Sequence, residues 1–280
     1  MNIRLKPCRF CGEVTAISSK SDAHRLLIAS ALSDRPTFIR CNARSADITA
    51  TVNCLNSLGA DIKFVDGGIS VKPIKEKRKS AVLDCNESGS TIRFLLPVAA
   101  SLGTNTEFTG GGRLPERPLS PLREQMEAHG VVFSPINVFP VKINGEMISG
   151  EFTIKGNISS QFITGLLFAL PLLNGNSIIN VIPPVESRPY IDMTLNTLKK
   201  FGITVTEKSN SFFIPGGQKY ASPGTVESEG DWSNSAFFLT AGAVSGRVTV
   251  TGLDVSSVQC YKQILAILKE MGAEITIEQV

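Results

Sequence analysis

The chain of 280 residues is 42% hydrophobic and 19% charged, which provides enough apolar material for one large or two ordinary domains and excludes a wholly disordered chain. Its 28 basic and 25 acidic residues give a net charge of +3 without basic runs, so we expect no nucleic-acid partner. The longest apolar stretch, residues 162–173, is too short to span a bilayer, and residues 1–7 lack the apolar core of a signal peptide, so we expect a cytoplasmic protein with no membrane partner.

Six cysteines are scattered along the chain, and without an export signal we expect them to be reduced thiols. Cys8 and Cys11 have the spacing of some zinc and redox sites. A zinc site would need a second pair of ligands, and neither His24 nor His129 lies at ligand spacing. A thioredoxin-like motif would open a helix, which Gly12 does not favour. We therefore interpret the pair as two incidental thiols near an N-terminal strand and predict no metal site.

A repeat runs through the whole chain. Glycines at positions 59, 130, 202 and 272 recur at intervals of 70–72 residues, and each lies between an amphipathic run and a short alternating run. This pattern predicts a helix that ends at a C-cap glycine and is followed by a strand. A second series of β-rich runs starts at Thr37, Thr106, Ser177 and Arg247. Hydroxyl residues before these runs predict helix N-caps near residues 18–21, 88–91, 159–161 and 233–235.

Each repeat contains two helices and several strands in the order β-α-β-α-β-β, which predicts an α/β (α+β) fold with helices packed against sheets. Three complete units span residues 16–227, and the beginning of a fourth follows. A candidate hinge lies between Pro223-Gly224 and Glu229-Gly230. The sequence thus predicts one complete, pseudo-symmetric three-unit domain and part of another.

Several predicted helix starts have the composition of anion sites, because exposed N–H groups and the helix dipole attract negative charge there. Lys20, Ser21 and Arg25 surround the first start with two cations and a hydroxyl group. Gly89, between serines at the second start, allows a close approach to the backbone. The third start, at residues 159–161, offers two hydroxyl groups and an amide.

Two Arg-Pro steps, Arg117-Pro118 and Arg188-Pro189, place an arginine at the mouth of a helix, where a bidentate contact to a carboxylate or phosphate is feasible. Asp231 opens the fourth unit and is interpreted as a helix cap. With only two histidines, the chain shows no Ser-His-Asp or Cys-His nucleophile set. These features favour binding of a polyanion over nucleophilic catalysis.

Taken in order, these motifs resemble those of the enolpyruvylshikimate-phosphate synthase family, and the resemblance covers essentially the whole chain. The matching segments are Lys20-Ser21-Asp22-Ala23-His24-Arg25, Ser88-Gly89-Ser90-Thr91-Ile92-Arg93, Arg117-Pro118, Ser159-Ser160-Gln161, Ser187-Arg188-Pro189-Tyr190-Ile191-Asp192, Glu229-Gly230-Asp231 and Ser233-Asn234-Ser235-Ala236.

The resemblance implies an enolpyruvyl-transferase-like fold with two domains, each built from three β-α-β-α-β-β units around pseudo-threefold symmetry. Residues 16–227 would then form the complete substrate-binding domain. Residues 1–15 and 228–280 would belong together, as part of the second domain. The resemblance also implies a monomer at full length.

The resemblance further implies transfer of the enolpyruvyl group from phosphoenolpyruvate to the 5-hydroxyl of shikimate 3-phosphate, a step of aromatic amino-acid biosynthesis, without metal or organic cofactor. Lys20 matches the family's catalytic lysine, which touches both substrates. The residues that match shikimate 3-phosphate contacts are Lys20, Ser21, Arg25, Ser159, Ser160, Gln161, Ser187 and Tyr190. Those that match the phosphoenolpyruvate side are Lys20, Gly89, Arg117 and Gln161.

The chain also departs from the family pattern. Glu87 stands where many members have Asn, and the chain has about two-thirds of the usual length, so the family's proposed acid/base carboxylates cannot be assigned. We therefore expect it to bind shikimate 3-phosphate without catalysing the transfer. Two alternatives stay open: a UDP-N-acetylglucosamine enolpyruvyl transferase, disfavoured because the loop before Arg117 has no cysteine, and a non-catalytic anion-binding module.

Overall fold

A computed structural model describes residues 9–135 and 139–278. Cys8 lies outside the described residues, and Cys11 is the exposed first residue of the first strand. The described helices are α1 (Lys20–Ala31), α2 (Ala46–Ser57), α3 (Gly89–Ser101), α4 (Leu122–Ala128), α5 (Ser160–Ala169), α6 (Arg188–Lys200), α7 (Trp232–Ser245) and α8 (Ile264–Glu270). The described strands are β1 (Cys11–Thr15), β2 (Thr37–Arg40), β3 (Asp61–Val65), β4 (Gly68–Lys72), β5 (Ser80–Asp84), β6 (Asn105–Thr109), β7 (Val132–Ser134), β8 (Val141–Asn144), β9 (Glu151–Lys155), β10 (Ser177–Ile182), β11 (Thr206–Lys208), β12 (Ser211–Ile214), β13 (Thr225–Glu227) and β14 (Arg247–Thr251).

One sheet pattern occurs three times. The strand orders are β13-β2-β4-β3, β5-β6-β8-β7 and β9-β10-β12-β11. In each sheet an edge strand runs parallel to its neighbour, and an antiparallel hairpin completes the other side. The predicted α/β class and the strand runs that start at Thr37, Thr106, Ser177 and Arg247 are confirmed.

The first of these sheets takes its parallel edge strand from the far end of the repeats. β13 pairs with β2 in a register that sets Thr225 opposite Phe38 and Glu227 opposite Arg40. The segment between Pro223-Gly224 and Glu229-Gly230, predicted as a candidate hinge, therefore contains a strand at residues 225–227, and the division between the two compact units falls after Ser228. A composition rich in Gly and Pro marks a turn but does not show which distant strand is free to pair.

The repeated glycines end helices as predicted. Gly59, Gly130, Gly202 and Gly272 follow α2, α4, α6 and α8 and have φ values of +114°, +90°, +74° and +93°, a region that favours glycine. Strands follow promptly after the first two. β11 starts only at Thr206, because the backbone N–H of Thr204 donates to the side-chain oxygen of Gln218. Within the described residues no strand follows Gly272, so that part of the prediction was wrong.

The helix starts confirm two predicted caps and shift a third. The hydroxyl of Ser88 accepts from the backbone N–H of Thr91 at α3, and that of Ser159 accepts from Gln161 at α5. At α7 the cap is Asp231, whose carboxylate accepts from the N–H of Asn234. The residues at 233–235, predicted to form this cap, lie inside the helix.

Helices α1, α3 and α5 are buried along most of their length. α3 packs against α5, and α5 packs against α6. A Cβ atom on Gly165 would meet the backbone carbonyl of Arg93, so glycine is needed where α5 approaches α3. This close packing brings the starts of α1, α3, α5 and α6 near one another.

Contacts divide the chain into two compact units. The larger one, Lys20–Ser228, holds the three four-stranded sheets. The smaller one contains the described residues up to Ser19 and from Glu229 onward. In it β1 pairs in parallel with β14, and the indole N–H of buried Trp232 donates to the carbonyl of Asp254. Among the described residues, no helix has the length and apolar character needed to cross a membrane.

Candidate functional site

A polar cavity of about 310 Å³ lies within the larger unit, where α1, α3, α5 and α6 begin. It is lined by Ser21, His24, Arg25, Ser90, Arg93, Phe94, Ile158, Ser159, Ser160, Gln161, Ser187 and Tyr190. Seven residues that the family resemblance assigns to shikimate 3-phosphate are thus close together: Ser21, Arg25, Ser159, Ser160, Gln161, Ser187 and Tyr190. The eighth, Lys20, does not line this cavity.

The start of α5 brings hydroxyl and amide groups into the cavity. The Ser159 hydroxyl accepts from the backbone N–H of Gln161 at 3.3 Å, and Ser160 is the first helical residue. A first helical turn has N–H groups without helical partners and carries the positive end of the dipole. An anion bound here would therefore meet hydroxyl and N–H donors together.

Arg25 is a buried cation with most of its donors already engaged. Its guanidinium donates to the hydroxyls of Thr194 at 2.9 Å and Thr164 at 3.4 Å, and to the carbonyls of Ser21 at 2.6 Å and Tyr190 at 2.9 Å. A guanidinium has five N–H groups, so one at Nη1 stays without a partner among the described residues. Burial lowers the pKa of Arg25 to about 10, so it is still charged at neutral pH.

Arg93 and Ser90 belong to the site, although neither was selected from the sequence as a site residue. Nη1 of Arg93 donates to Oε1 of Gln161 at 2.8 Å, and Nε2 of Gln161 donates to the Ser90 hydroxyl at 2.8 Å. Burial, and next the charge of Arg117, lower the pKa of Arg93. The sequence did contain a signal for Arg93, because it follows Gly89 by four residues. It therefore lies one turn into α3, with its side chain directed toward the start of the helix.

The start of α6 contributes Ser187 and Tyr190. Ser187 adopts the left-handed backbone conformation, with φ of +57°, which is uncommon for a residue other than glycine and is often found at functional sites. Arg188, predicted at this helix mouth, donates from both Nη atoms to the two carboxylate oxygens of Glu207, at 2.6 and 2.7 Å. Its Nε donates to Asp192 at 2.7 Å. Arg188 is thus held by carboxylates of the protein, and these hydrogen bonds raise its pKa.

The residues assigned to phosphoenolpyruvate lie beside this cavity. A Cβ atom on Gly89 would be 2.5 Å from Nη1 of Arg117, so Gly89 leaves room for that guanidinium. Arg117 lines a neighbouring cavity of about 240 Å³, and Arg93 lines both cavities.

Lys20, half exposed, donates from Nζ to Asp47 at 2.7 Å. Glu87 packs against Gly112, whose φ is +54°, with its carboxyl group in the space that a side chain there would need.

His24 also lines the first cavity. From the sequence its side chain was considered as a metal ligand and was not predicted to bind a substrate. Its Nδ1 lies 2.7 Å from the hydroxyl of Thr51, and its ring makes an edge-to-face contact with Phe94. Burial is the main cause that lowers its pKa to about 3, so the ring is neutral at pH 7.

The described lining of the first cavity is rich in hydrogen-bond donors. Its described lining residues include serine, arginine and amide groups but no Asp or Glu. No group of three His, Cys, Asp or Glu residues within the described ranges could hold a metal ion. The arrangement can bind and orient a ligand that carries both anionic and hydroxyl groups.

Comparisons with known proteins point to one family. The family model for EPSP synthase (3-phosphoshikimate 1-carboxyvinyltransferase) matches residues 6–280. A protein of that name from Brachyspira hyodysenteriae is 41% identical over 99% of this chain, and one from Clostridium acetobutylicum is 41% identical over 98% of it. The chain spans 66% and 65% of the lengths of these two relatives. A solved structure of EPSP synthase from Acinetobacter baumannii is 22% identical in sequence and has a TM-score of 0.81. The match covers 97% of this chain and 61% of the chain in that structure.

Proposed function

We propose, because the chain belongs to the EPSP synthase (3-phosphoshikimate 1-carboxyvinyltransferase) family, that its polar cavity binds shikimate 3-phosphate. The observation that carries the proposal is the convergence of Ser159, Ser160, Gln161, Ser187 and Arg25 in one cavity. They come from the starts of three helices, of which α1 lies far from α5 and α6 in the sequence. A single serine at a helix start is an ordinary cap, whereas three starts that meet around one space favour an anion site.

The ligand's phosphate is proposed to lie at the start of α5, where Ser159 and Ser160 provide hydroxyl donors and Ser187 a third. Gln161 extends from the same turn, so one side chain can contact both substrates. Arg25 places a positive charge at the base of the cavity and offers its remaining N–H. Fixed donors of this kind need little reorganisation when the ligand binds.

Phosphoenolpyruvate is proposed to bind next to it, between Lys20, Gly89, Arg117 and Gln161. The start of α3 contributes N–H groups there, and Arg117 contributes a guanidinium that can form a bidentate contact with a carboxylate or phosphate. The complete reaction is addition of the 5-hydroxyl to C2 of phosphoenolpyruvate, with protonation at C3, followed by loss of phosphate. Lys20 holds negative charge on both substrates during these steps.

We further propose that the 280-residue chain binds shikimate 3-phosphate but does not complete this transfer. Addition and elimination both need proton transfer to and from carbon and oxygen. No carboxylate is present among the described lining residues of the polar cavity, and Glu116, which lines the neighbouring cavity, is exposed and pairs with Arg113. Buried His24, with a pKa of about 3, is a weak base. The cytoplasm, where such free thiols persist, is the proposed location.

Calorimetry with shikimate 3-phosphate tests the binding proposal, and the chain offers a matched pair of variants. Ser159 caps α5 at the cavity, and Ser45 caps α2 outside it, each through its hydroxyl oxygen. Replacing either by Ala should lower helix stability by about 1 kcal/mol. Only Ser159→Ala should also weaken ligand binding, by about tenfold or more, because a charge-assisted hydrogen bond is lost.

Two results would contradict the proposal. The wild-type chain could fail to bind shikimate 3-phosphate at millimolar concentration. Alternatively, Ser159→Ala and Ser45→Ala could bind it equally well, which would remove the start of α5 from the binding site.

A further inference from the structure

His24 lines the cavity and has one ring nitrogen without a hydrogen-bond partner among the described residues. The side chain is 1% exposed, and its Nε2 atom has no hydrogen-bond partner among the described residues. Its other nitrogen, Nδ1, faces Thr51 on α2, a residue that does not line the cavity. A buried polar atom without a partner is destabilising, so its persistence in a ligand-sized cavity points to a ligand that satisfies it.

A chain of three hydroxyl groups determines which nitrogen of His24 carries the proton. The Thr91 hydroxyl donates to the Ser88 hydroxyl oxygen at 2.7 Å, so its only proton is used there. Thr91 must then accept from Thr51, whose hydroxyl lies 2.7 Å away. With its own proton given to Thr91, the Thr51 oxygen can only accept from Nδ1 of His24. The proton of the neutral ring is therefore on Nδ1, and Nε2 presents a lone pair.

The charges around the ring are consistent with this neutral state. Asp47 favours protonation, whereas Lys20 and Arg25 oppose it, and the effect of burial exceeds all three. Nε2 is thus a neutral hydrogen-bond acceptor at a site otherwise rich in donors. An acceptor attracts a hydroxyl group and repels the oxygens of a phosphate or carboxylate.

We propose that Nε2 of His24 accepts a hydrogen bond from a ring hydroxyl of the bound ligand and so sets which way round the ligand lies in the cavity. This inference rests on the proposed function, because it takes shikimate 3-phosphate as the ligand. The phosphate is directed to the hydroxyl and N–H donors of α5, and a hydroxyl-bearing face of the ring is directed to His24. His24 is therefore a specificity residue that contacts the substrate.

Nitrogen NMR observes the atom directly, because the chain has only two histidines. In protein labelled with ¹⁵N-histidine, His129→Gln assigns the remaining ring signals to His24. We expect an unprotonated Nε2 in the free protein at pH 7, and a shift of its resonance towards that of a hydrogen-bonded nitrogen when shikimate 3-phosphate is added. Inorganic phosphate at saturation should leave the Nε2 resonance in place.

Binding measurements on variants provide the second arm. His24→Leu removes the acceptor and should weaken shikimate 3-phosphate binding by about tenfold, with inorganic phosphate affinity unchanged. His24→Gln can place an amide oxygen near the position of Nε2 and should recover part of the loss. If His24→Leu does not fold, Thr51→Val replaces it, since the loss of the Thr51 oxygen lets the proton move to Nε2, which should lower the affinity and change the Nε2 resonance.

The outcomes separate the two proposals. If the wild-type chain does not bind shikimate 3-phosphate, the proposed function fails and this inference fails with it. If the wild-type chain binds it but the Nε2 resonance does not move, or His24→Leu binds it equally well, only the role of His24 is overturned. A proton found on Nε2 in the free protein would also overturn it.

Discussion

Arg93 donates a hydrogen bond of 2.8 Å from Nη1 to Oε1 of Gln161 and thereby joins α3 to α5 at the edge of the polar cavity. The bond also orients the amide of Gln161, whose Nε2 donates to Ser90. Arg93 lines the neighbouring cavity with Arg117 as well. One cation thus holds the side chain that is proposed to contact both substrates.

A double-mutant cycle tests this arrangement. We expect Arg93→Ala and Gln161→Ala each to weaken shikimate 3-phosphate binding, with a coupling energy of about 1 kcal/mol, because Gln161 is correctly oriented only when Arg93 is present. Calorimetry on the wild type, both single variants and the double variant measures it. Arg93→Lys keeps the charge but loses the planar donor group, so it should behave more like Ala than like Arg. Strictly additive effects would contradict the coupling.

Lys20 is predicted to bind anions more tightly once Asp47 is neutral. The Asp47 carboxylate holds Nζ at 2.7 Å on a partly exposed surface, so it competes with an incoming phosphate. We expect Asp47→Asn to tighten binding of phosphoenolpyruvate by about two- to fivefold at low salt and Lys20→Ala to weaken it. Asp61→Asn is the matched control, because it removes a similar pair with Lys72 at 2.8 Å away from both cavities. Weaker binding by Asp47→Asn would show that Asp47 positions Lys20 productively.

The third prediction concerns turnover. With saturating shikimate 3-phosphate and phosphoenolpyruvate, we expect purified protein to release phosphate at the rate measured without protein, because the cavity lacks a described carboxylate for proton transfer. Activity that survives repurification and disappears in Lys20→Ala would show that these 280 residues suffice for the reaction.

The fourth prediction concerns β13 and the stability of the larger unit. A protein of residues 20–228 should show one cooperative thermal transition, because it contains all twelve strands of the three sheets. Ending it at residue 224 removes β13, exposes the edge of β2 and loses the buried side chain of Val226. We expect the free energy of unfolding to fall by about 2 kcal/mol or more. Equal melting curves for the two proteins would show that β13 does not contribute to the core.

The fifth prediction is a pH dependence that arises from His24. Its pKa is about 3 in the folded protein and 6.5 when the ring is unperturbed, so below pH 6.5 the unfolded chain binds a proton that the folded chain does not. The contribution of His24 to stability is therefore complete above pH 6.5 and is lost progressively as the pH falls toward 3. Between pH 7 and 5 this amounts to about 2 kcal/mol. Urea unfolding of wild type and His24→Gln should show the stability difference shrinking by that amount, and a constant difference would argue against a neutral buried ring.

The sequence predicted features that depend on nearby residues. Glycine after a helix and serine before one act within a few positions, and their 70-residue spacing therefore gave the repeat and the helix ends. The sequence did not predict that Asp47 forms an ion pair with Lys20, that Glu207 forms one with Arg188, or that β13 pairs with β2. These pairings depend on the packing of distant segments, as in the bond from Arg25 to Thr194, 169 residues apart. His24 was overlooked because its tautomer is set by hydroxyls from α2 and α3, which no local pattern links.

The pairing of β13 with β2 and of β1 with β14 bears on how the chain folds while the ribosome makes it. The second and third sheets are each complete as soon as their own consecutive segments have emerged, because all of their strands lie close in sequence. The first sheet, although synthesised earliest, keeps an unpaired edge on β2 until residues 225–227 appear. β1 waits longer still, since Thr15 meets Thr251, 236 residues later. The earliest strands are therefore the last to gain all of their partners. During synthesis the open edge of β2 is the place most vulnerable to pairing with a strand of another nascent chain.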